Sequence, residues 1–151
     1  MLYEISLSLR KYLEAKVLEI TKVQLLYDNI SLSEIPKPFL TIDFLNDVVT
    51  VVASGRSSVS ESYNFQIGVF ANSYSELLRL KAKVQDVLAS SDGVPLYDEA
   101  DMLTGDRFVC DVVGFTRMPN EDIANETNNH RGYFDVSVRV LRNVGSKIFT
   151  Q

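Results

Sequence analysis

The feature that most constrains this fold is a strict alternation of apolar and polar residues near the middle of the chain. Between positions 62 and 69, every second side chain is apolar: Tyr63, Phe65, Ile67 and Val69. Because successive side chains of a strand point to opposite faces, a period of two predicts a strand with one buried face. A sheet built on such a strand needs other elements to cover that apolar face.

Two amphipathic helices are predicted to provide this cover. The first has an apolar stripe at spacings of three and four, formed by Leu2, Ile5, Leu9, Tyr12 and Leu13. The second follows the alternating strand, and its stripe is formed by Leu77, Leu80, Val84, Val87 and Leu88. Ser73 and Glu76 have the S-x-x-E spacing of a capping box at its start. Gly93 is a candidate left-handed residue after its end.

Further extended segments are predicted at 23–26, 39–45, 48–53, 108–115 and 134–140. The 108–115 segment is apolar on both faces, which favours a central position in the sheet. Strands outnumber helices and their connections are short. The sequence therefore predicts an α+β fold, with an antiparallel or mixed sheet and two main helices packed on one face. A single domain is expected over residues 1–141, with 142–151 as a C-terminal tail that has conformational freedom.

The charge balance argues against a nucleic-acid-binding protein. The chain of 151 residues has 20 acidic and 15 basic side chains, a net charge of −5. Binding to nucleic acid depends largely on Lys and Arg side chains that neutralise phosphates, so we do not expect direct binding. An acidic surface can instead lie close to DNA without holding it. No apolar run approaches the ~18–20 residues that span a bilayer, so a membrane is not an expected partner either.

No pattern in the sequence predicts catalysis or a cofactor. The single histidine, His130, is interpreted as a solvated loop residue, and Cys110 as an inert buried thiol. A cluster of carboxylates is the weak candidate for a metal site: Asp98, Glu99, Asp101 and Asp106. Their spacing does not match an EF-hand, and a solvated loop is the preferred interpretation.

A long polar segment separates the last two predicted strands. Loops of this length in a compact domain are usually functional or mobile. We expect this segment, residues 119–131, to be an arm that orders on contact with a partner. Its candidate interaction residues are Asn120, Glu121, Asp122, Asn125, Glu126 and His130.

Five segments also follow one another in a distinctive order. A strand over 65–70 leads into the capped helix 73–89, which is followed by 92–96, a strand ending at 114–122, and the segment 130–138. This order resembles that of the tail terminator, or tail-completion, proteins of long-tailed bacteriophages and prophages. The likeness extends from the N-terminal helix to about Leu141.

The resemblance implies a structural virion protein that is not an enzyme. It implies a homo-hexameric ring that caps the tail tube, ends tail polymerisation and provides a docking surface for the head and neck. The implied partners are other copies of the chain, the tail tube protein and a neck or head-completion protein, while DNA passes through the lumen without specific binding. The implied location is the virion tail, and the host cytoplasm during assembly.

Two alternatives remain open at the level of sequence. The first is a head-completion or neck connector protein, which belongs to the same class of virion parts. The second is a small metal-binding module that uses the carboxylate cluster.

Overall fold

The structure, a computed structural model, describes residues 2–26, 31–51, 58–90, 92–117, 130–143 and 148–150. Its helices are α1 (Leu2–Lys16) and α2 (Tyr74–Leu88), with a short 3₁₀ turn at Leu32–Glu34. Its strands are β1 (Val23–Leu25), β2 (Phe39–Val51), β3 (Ser58–Ala71), β4 (Val94–Tyr97), β5 (Leu103–Phe108), β6 (Cys110–Arg117), β7 (His130–Asn143) and β8 (Ile148–Thr150).

The main sheet has the strand order β1-β2-β3-β7-β6, and β8 pairs with the distal part of β7. Strand β1 runs parallel to β2, and the other neighbours are antiparallel. Strands β4 and β5 form a separate two-stranded hairpin. Both helices contact strands of the sheet, so the predicted α+β fold with a mixed sheet is confirmed.

Strand β3 is the centre of the sheet. Tyr63, Phe65, Ile67 and Val69 are all buried, and the intervening side chains at 62, 64 and 66 are partly exposed. The strand pairs without interruption with β7 over 58–71 and 130–143. This long ladder fixes which side chains of both strands face the core, because a register shift of one residue would move every side chain to the opposite face of the sheet.

The two helices bury the stripes predicted for them. On α1, Ile5, Leu9 and Leu13 are fully buried, and on α2 the buried residues include Leu77 and Val84. The Tyr12 hydroxyl donates to the backbone carbonyl of Val87 over 3.3 Å, so it joins the two helices. Burying an aliphatic side chain contributes about 1.5–3 kcal/mol, so these stripes hold the helical layer on the sheet.

The start of α2 shows the predicted capping box. The Ser73 hydroxyl accepts from the backbone N–H of Glu76 over 3.2 Å. The Glu76 carboxylate returns to the backbone N–H of Asn72 over 2.8 Å, one residue before the cap. Two backbone donors near the helix start are thereby satisfied.

The prediction of a central strand over 108–115 is wrong. The segment divides at Val109 into β5, which pairs with β4, and β6, which lies at the end of the sheet order. Val109 and Val113 are exposed, so the second apolar face is not covered by the described residues.

Strand β2, Phe39–Val51, is one strand where the sequence predicts two extended segments, 39–45 and 48–53. It runs through Leu45 without a turn because a β-bulge takes up that residue: Phe44 pairs with Phe65 and Asn46 pairs with Asn64. A similar bulge in β6 takes up Val113, since Val112 pairs with Val136 and Gly114 with Asp135. A bulge inserts one extra residue and redirects its side chain.

The β4–β5 hairpin is fixed to α1 by polar contacts. The buried Ser8 hydroxyl donates to the Glu4 carbonyl over 2.6 Å and accepts from the Tyr97 N–H over 2.8 Å. The Lys11 ammonium lies 2.5 Å from the Asp101 carboxylate and 4.7 Å from the centre of the Tyr97 ring. These contacts hold the turn between β4 and β5 against the first helix.

Candidate interaction surfaces

The carboxylate cluster does not come together as a chelating site. Asp98 accepts from the backbone N–H groups of Ala100 and Met102 over 2.9 and 3.0 Å, so it organises the β4–β5 turn. Asp101 is paired with Lys11. Within the described ranges, no group of three or more His, Cys, Asp or Glu side chains is placed to hold a metal ion.

Cys110 has the setting of an inert thiol. It is 4% exposed and belongs to the main apolar core. Burial, with a smaller contribution from the neighbouring carboxylate of Asp111, raises the pKa of the thiol to about 12. The thiol is therefore protonated at neutral pH, and only the thiolate is a strong nucleophile.

Most of the predicted interaction arm lies outside the described residues. This applies to Asn120, Glu121, Asp122, Asn125 and Glu126. The remaining candidate, His130, is the first residue of β7 and is partly buried, opposite Ala71 of β3. It therefore lies at the start of a paired strand, and not in the loop where the sequence places it.

Part of the predicted C-terminal tail belongs to the sheet. Strand β7 continues to Asn143, and Ile148–Thr150 pair with residues 140–142. Residues 144–147 and 151 lie outside the described part of the chain.

Two edges of the main sheet are the surfaces best suited to contact another protein. Strand β1 covers only residues 40–42 of β2, which leaves residues 43–51 without a neighbour on that side in the part of the chain that is described. We call this stretch the β2 edge. At the other end of the sheet, β6 pairs with β7 alone among the described strands, and we call its outer side the β6 edge.

Apolar side chains stand out at both edges. On the β2 edge the exposed ones are Phe44, Leu45, Val48 and Val49. The bulge residue Leu45 is 50% exposed, and the bulge residue of β6, Val113, is 75% exposed. Natural edge strands are often protected by charged residues, prolines or β-bulges that discourage pairing with other chains. Both edges have a bulge and charged residues, Asp43 and Asp47 on β2 and Asp111 and Arg117 on β6, beside these exposed apolar side chains.

A groove runs between the β6 edge and α2. Its volume is about 610 Å³, and its walls include Lys81 and Gln85 from α2 with Val109, Val113 and Phe115 from the strand side. The Lys81 ammonium lies 5.9 Å from the centre of the Phe115 ring. Beyond the groove, the Arg117 guanidinium stacks on the ring of Tyr74 at 5.2 Å. The groove is lined by both polar and apolar residues, among them Lys81, Asp111 and Val113.

The β edges were not identified from the sequence. The sequence pattern predicts an ordinary strand at the exposed pair Val48-Val49 and a central strand at Val113. A signal for the edges was present in the sequence. The strand segments that contain Val48-Val49 and Val113 are apolar on both faces, whereas the two helices can cover only one face of the sheet.

Neither helix in the described ranges is long and apolar enough to cross a bilayer. Comparisons of the sequence with protein-family models and with curated proteins give no match.

Proposed function

We propose that this chain is a structural virion protein that closes the end of a phage tail tube as a homo-oligomeric ring. In this role it ends tail polymerisation and presents a surface to the neck of the head. The proposal begins from the order of segments that resembles the tail terminator proteins. Its ring would consist of six copies, as the resemblance implies.

The observation that carries the proposal is a pair of sheet edges that have no neighbouring strand among the described residues. The β2 edge and the β6 edge are different surfaces at opposite ends of the same sheet, and both expose apolar side chains. Contacts between two different surfaces of identical subunits are heterologous, and they form a closed ring when the rotation between subunits closes. A protein with two such surfaces is suited to building an assembly.

The net charge supports passage of DNA through such a ring. At −5 per chain, a ring of acidic subunits repels the phosphate backbone. DNA would then move through the lumen without the phosphate contacts that hold it on basic proteins.

Electron microscopy of the purified protein, alone and mixed with tail tubes, tests the proposal. We expect rings, and we expect these rings at one end of each tube, where they prevent further growth. A protein that neither forms rings nor caps tubes would refute the proposal.

The same experiment separates the terminator from a neck connector. Fractionation of an infected lysate into tails without heads and heads without tails gives the answer. A terminator remains on the isolated tails, whereas recovery on isolated heads would support the connector.

A further inference from the structure

We infer that the subunits of the ring join by antiparallel pairing of the β2 edge of one copy with the β6 edge of the next. This inference rests on the self-association proposed above and identifies its contact. The sheet would then continue from subunit to subunit around the ring.

The directions of the strands suit this pairing. Strand β2 is antiparallel to β3, β3 is antiparallel to β7, and β7 is antiparallel to β6. The two outer strands therefore run in opposite directions. When copies repeat in the same orientation, β6 of one copy meets β2 of the next in antiparallel fashion, which is the commoner and slightly more stable arrangement.

The registers place the two edges at the same height. Phe44 pairs with Phe65, Phe65 with Val136, and Val136 with Val112, so one row of residues crosses the whole sheet. Leu45 directly follows the first member of this row and Val113 directly follows the last. Neighbouring copies in similar orientation would thus bring the two exposed bulge residues within about one residue of each other along the strands, a distance that side chains on adjacent strands can span.

Residues 43–47 of the β2 edge share rows with residues 110–114 of β6. Across the paired strands, Asp43 lies in the row of Gly114 and Asp47 lies in the row of Cys110. Residues 43–47 are the part of β2 that begins where β1 ends. The pairing therefore uses the stretch of β2 that β1 leaves open.

The charges of the two strands do not select this register. Asp47 lies in the row of Cys110, next to the row that holds Asn46 and Asp111. Arg117 lies in the row of Leu40, where β1 covers β2. Strand direction and register, and not charge, therefore favour this pairing.

The groove between α2 and β6 supplies the remaining contact area. Pairing along one strand edge buries too little surface for a stable interface, which typically needs about 1,200–2,000 Å² in total. Side chains of an incoming β2 edge, such as Leu45 and Val49, can enter the groove, where Val109 and Val113 form an apolar wall. The occupant that fits is a second copy of this chain.

The test uses two variants that each disable one edge. Leu45→Asp disables the β2 edge, and Val113→Asp disables the β6 edge. Both positions are exposed, so we expect thermal melting close to that of the unchanged protein. Analytical ultracentrifugation and native mass spectrometry then measure the size of each variant alone and of an equimolar mixture.

A head-to-tail contact predicts a specific result. The unchanged protein assembles beyond the dimer, each variant alone is monomeric, and the mixture forms a one-to-one dimer and nothing larger. The dimer forms because the Val113→Asp chain keeps its β2 edge and the Leu45→Asp chain keeps its β6 edge. In the mixture one competent contact remains for each pair of chains.

Other results overturn the inference in distinguishable ways. If either variant alone dimerises or still forms rings, the contact is a different one, although the terminator function can stand. If the unchanged protein is monomeric at all concentrations, the edge pairing is wrong. If the protein assembles as inferred but does not cap tail tubes, the contact stands and the proposed function fails.

Discussion

The turn between α2 and β4 offers a sharp test of the fold, through the substitution Gly93→Ala. Gly93 has φ +75°, a left-handed backbone conformation that costs a residue with a Cβ about 1–2 kcal/mol. A Cβ at this position would also lie 2.7 Å from the backbone carbonyl oxygen of Phe108. That oxygen cannot move freely, because Phe108 ends β5 and pairs with Val94.

The contacts around Gly93 give the expected size of the effect. Its carbonyl accepts from the Arg107 guanidinium over 3.0 Å, and the same side chain donates to the Asp92 carbonyl over 2.6 Å. Relief of the clash would strain these bonds or the first pair of the β4–β5 ladder, and one charge-assisted hydrogen bond contributes about 1.5–3 kcal/mol. We therefore expect Gly93→Ala to lower the free energy of unfolding by about 3–5 kcal/mol.

The matched control is Gly105→Ala. Gly105 also has a positive φ, +90°, but a Cβ there has no atom within 4 Å. Its cost should be the backbone part alone, about 1–2 kcal/mol. Urea denaturation of the three proteins, followed by circular dichroism, measures the difference. Equal losses in the two variants would refute the reasoning, because the contact with the Phe108 carbonyl would then have no energetic weight.

Three further predictions concern the buried polar groups and the carboxylate loop. The folded Cys110 thiol keeps its proton up to a pKa of about 12, whereas the unfolded thiol loses it near 9.0. The free energy of unfolding should therefore fall as the pH rises from 9.0. At pH 10.5 the fall should be about 2 kcal/mol larger than in the Cys110→Ala variant. Urea denaturation measures this difference, and parallel pH profiles of the two proteins would contradict it. Ser8→Ala removes the acceptor of the Tyr97 N–H at a site with no exposed surface, so unfolding experiments should show a loss of about 1–3 kcal/mol, and a neutral result would mean that another acceptor replaces it. Calcium should leave the melting temperature unchanged, because the Asp98 carboxylate accepts from backbone N–H groups. A bound calcium ion, at a concentration of 100 times Kd, would add about 2.7 kcal/mol to the free energy of unfolding. A clear rise in the melting temperature would therefore restore the metal-binding alternative.

The helices, the capping box and the alternation of strand β3 could be predicted from the sequence because their signals are local. The stripe of α2 repeats at helical spacing, and the S-x-x-E motif reports a contact between residues only three apart. The alternation from 62 to 69 is also a local signal, because successive side chains of one strand point to opposite faces of the sheet.

The edges of the sheet could not be predicted because their signals depend on distant partners. Whether the strand containing Val113 is central or outermost depends on which strand lies beside it, and that is set by residues 130–143. Apolar residues on two faces indicate two covered faces in both cases. In the ring that we propose, another subunit would cover the second face, and the sequence of one strand does not show which chain provides that cover.

The bulge at Leu45 has a consequence for how this chain tolerates changes in length. The bulge shifts the pairing of β2 with β3 by one residue. Before it, pairs such as Phe44 with Phe65 follow one register, and after it, pairs such as Asn46 with Asn64 follow a register moved by one position. A deletion of Leu45 alone would bring both halves of β2 into one continuous phase and keep every remaining side chain on its present face. A deletion of one residue inside β3 would instead invert the rest of that strand in relation to both of its neighbours. Two deletions of equal size would thus have opposite outcomes, a straightened edge in one strand and a lost core in the other.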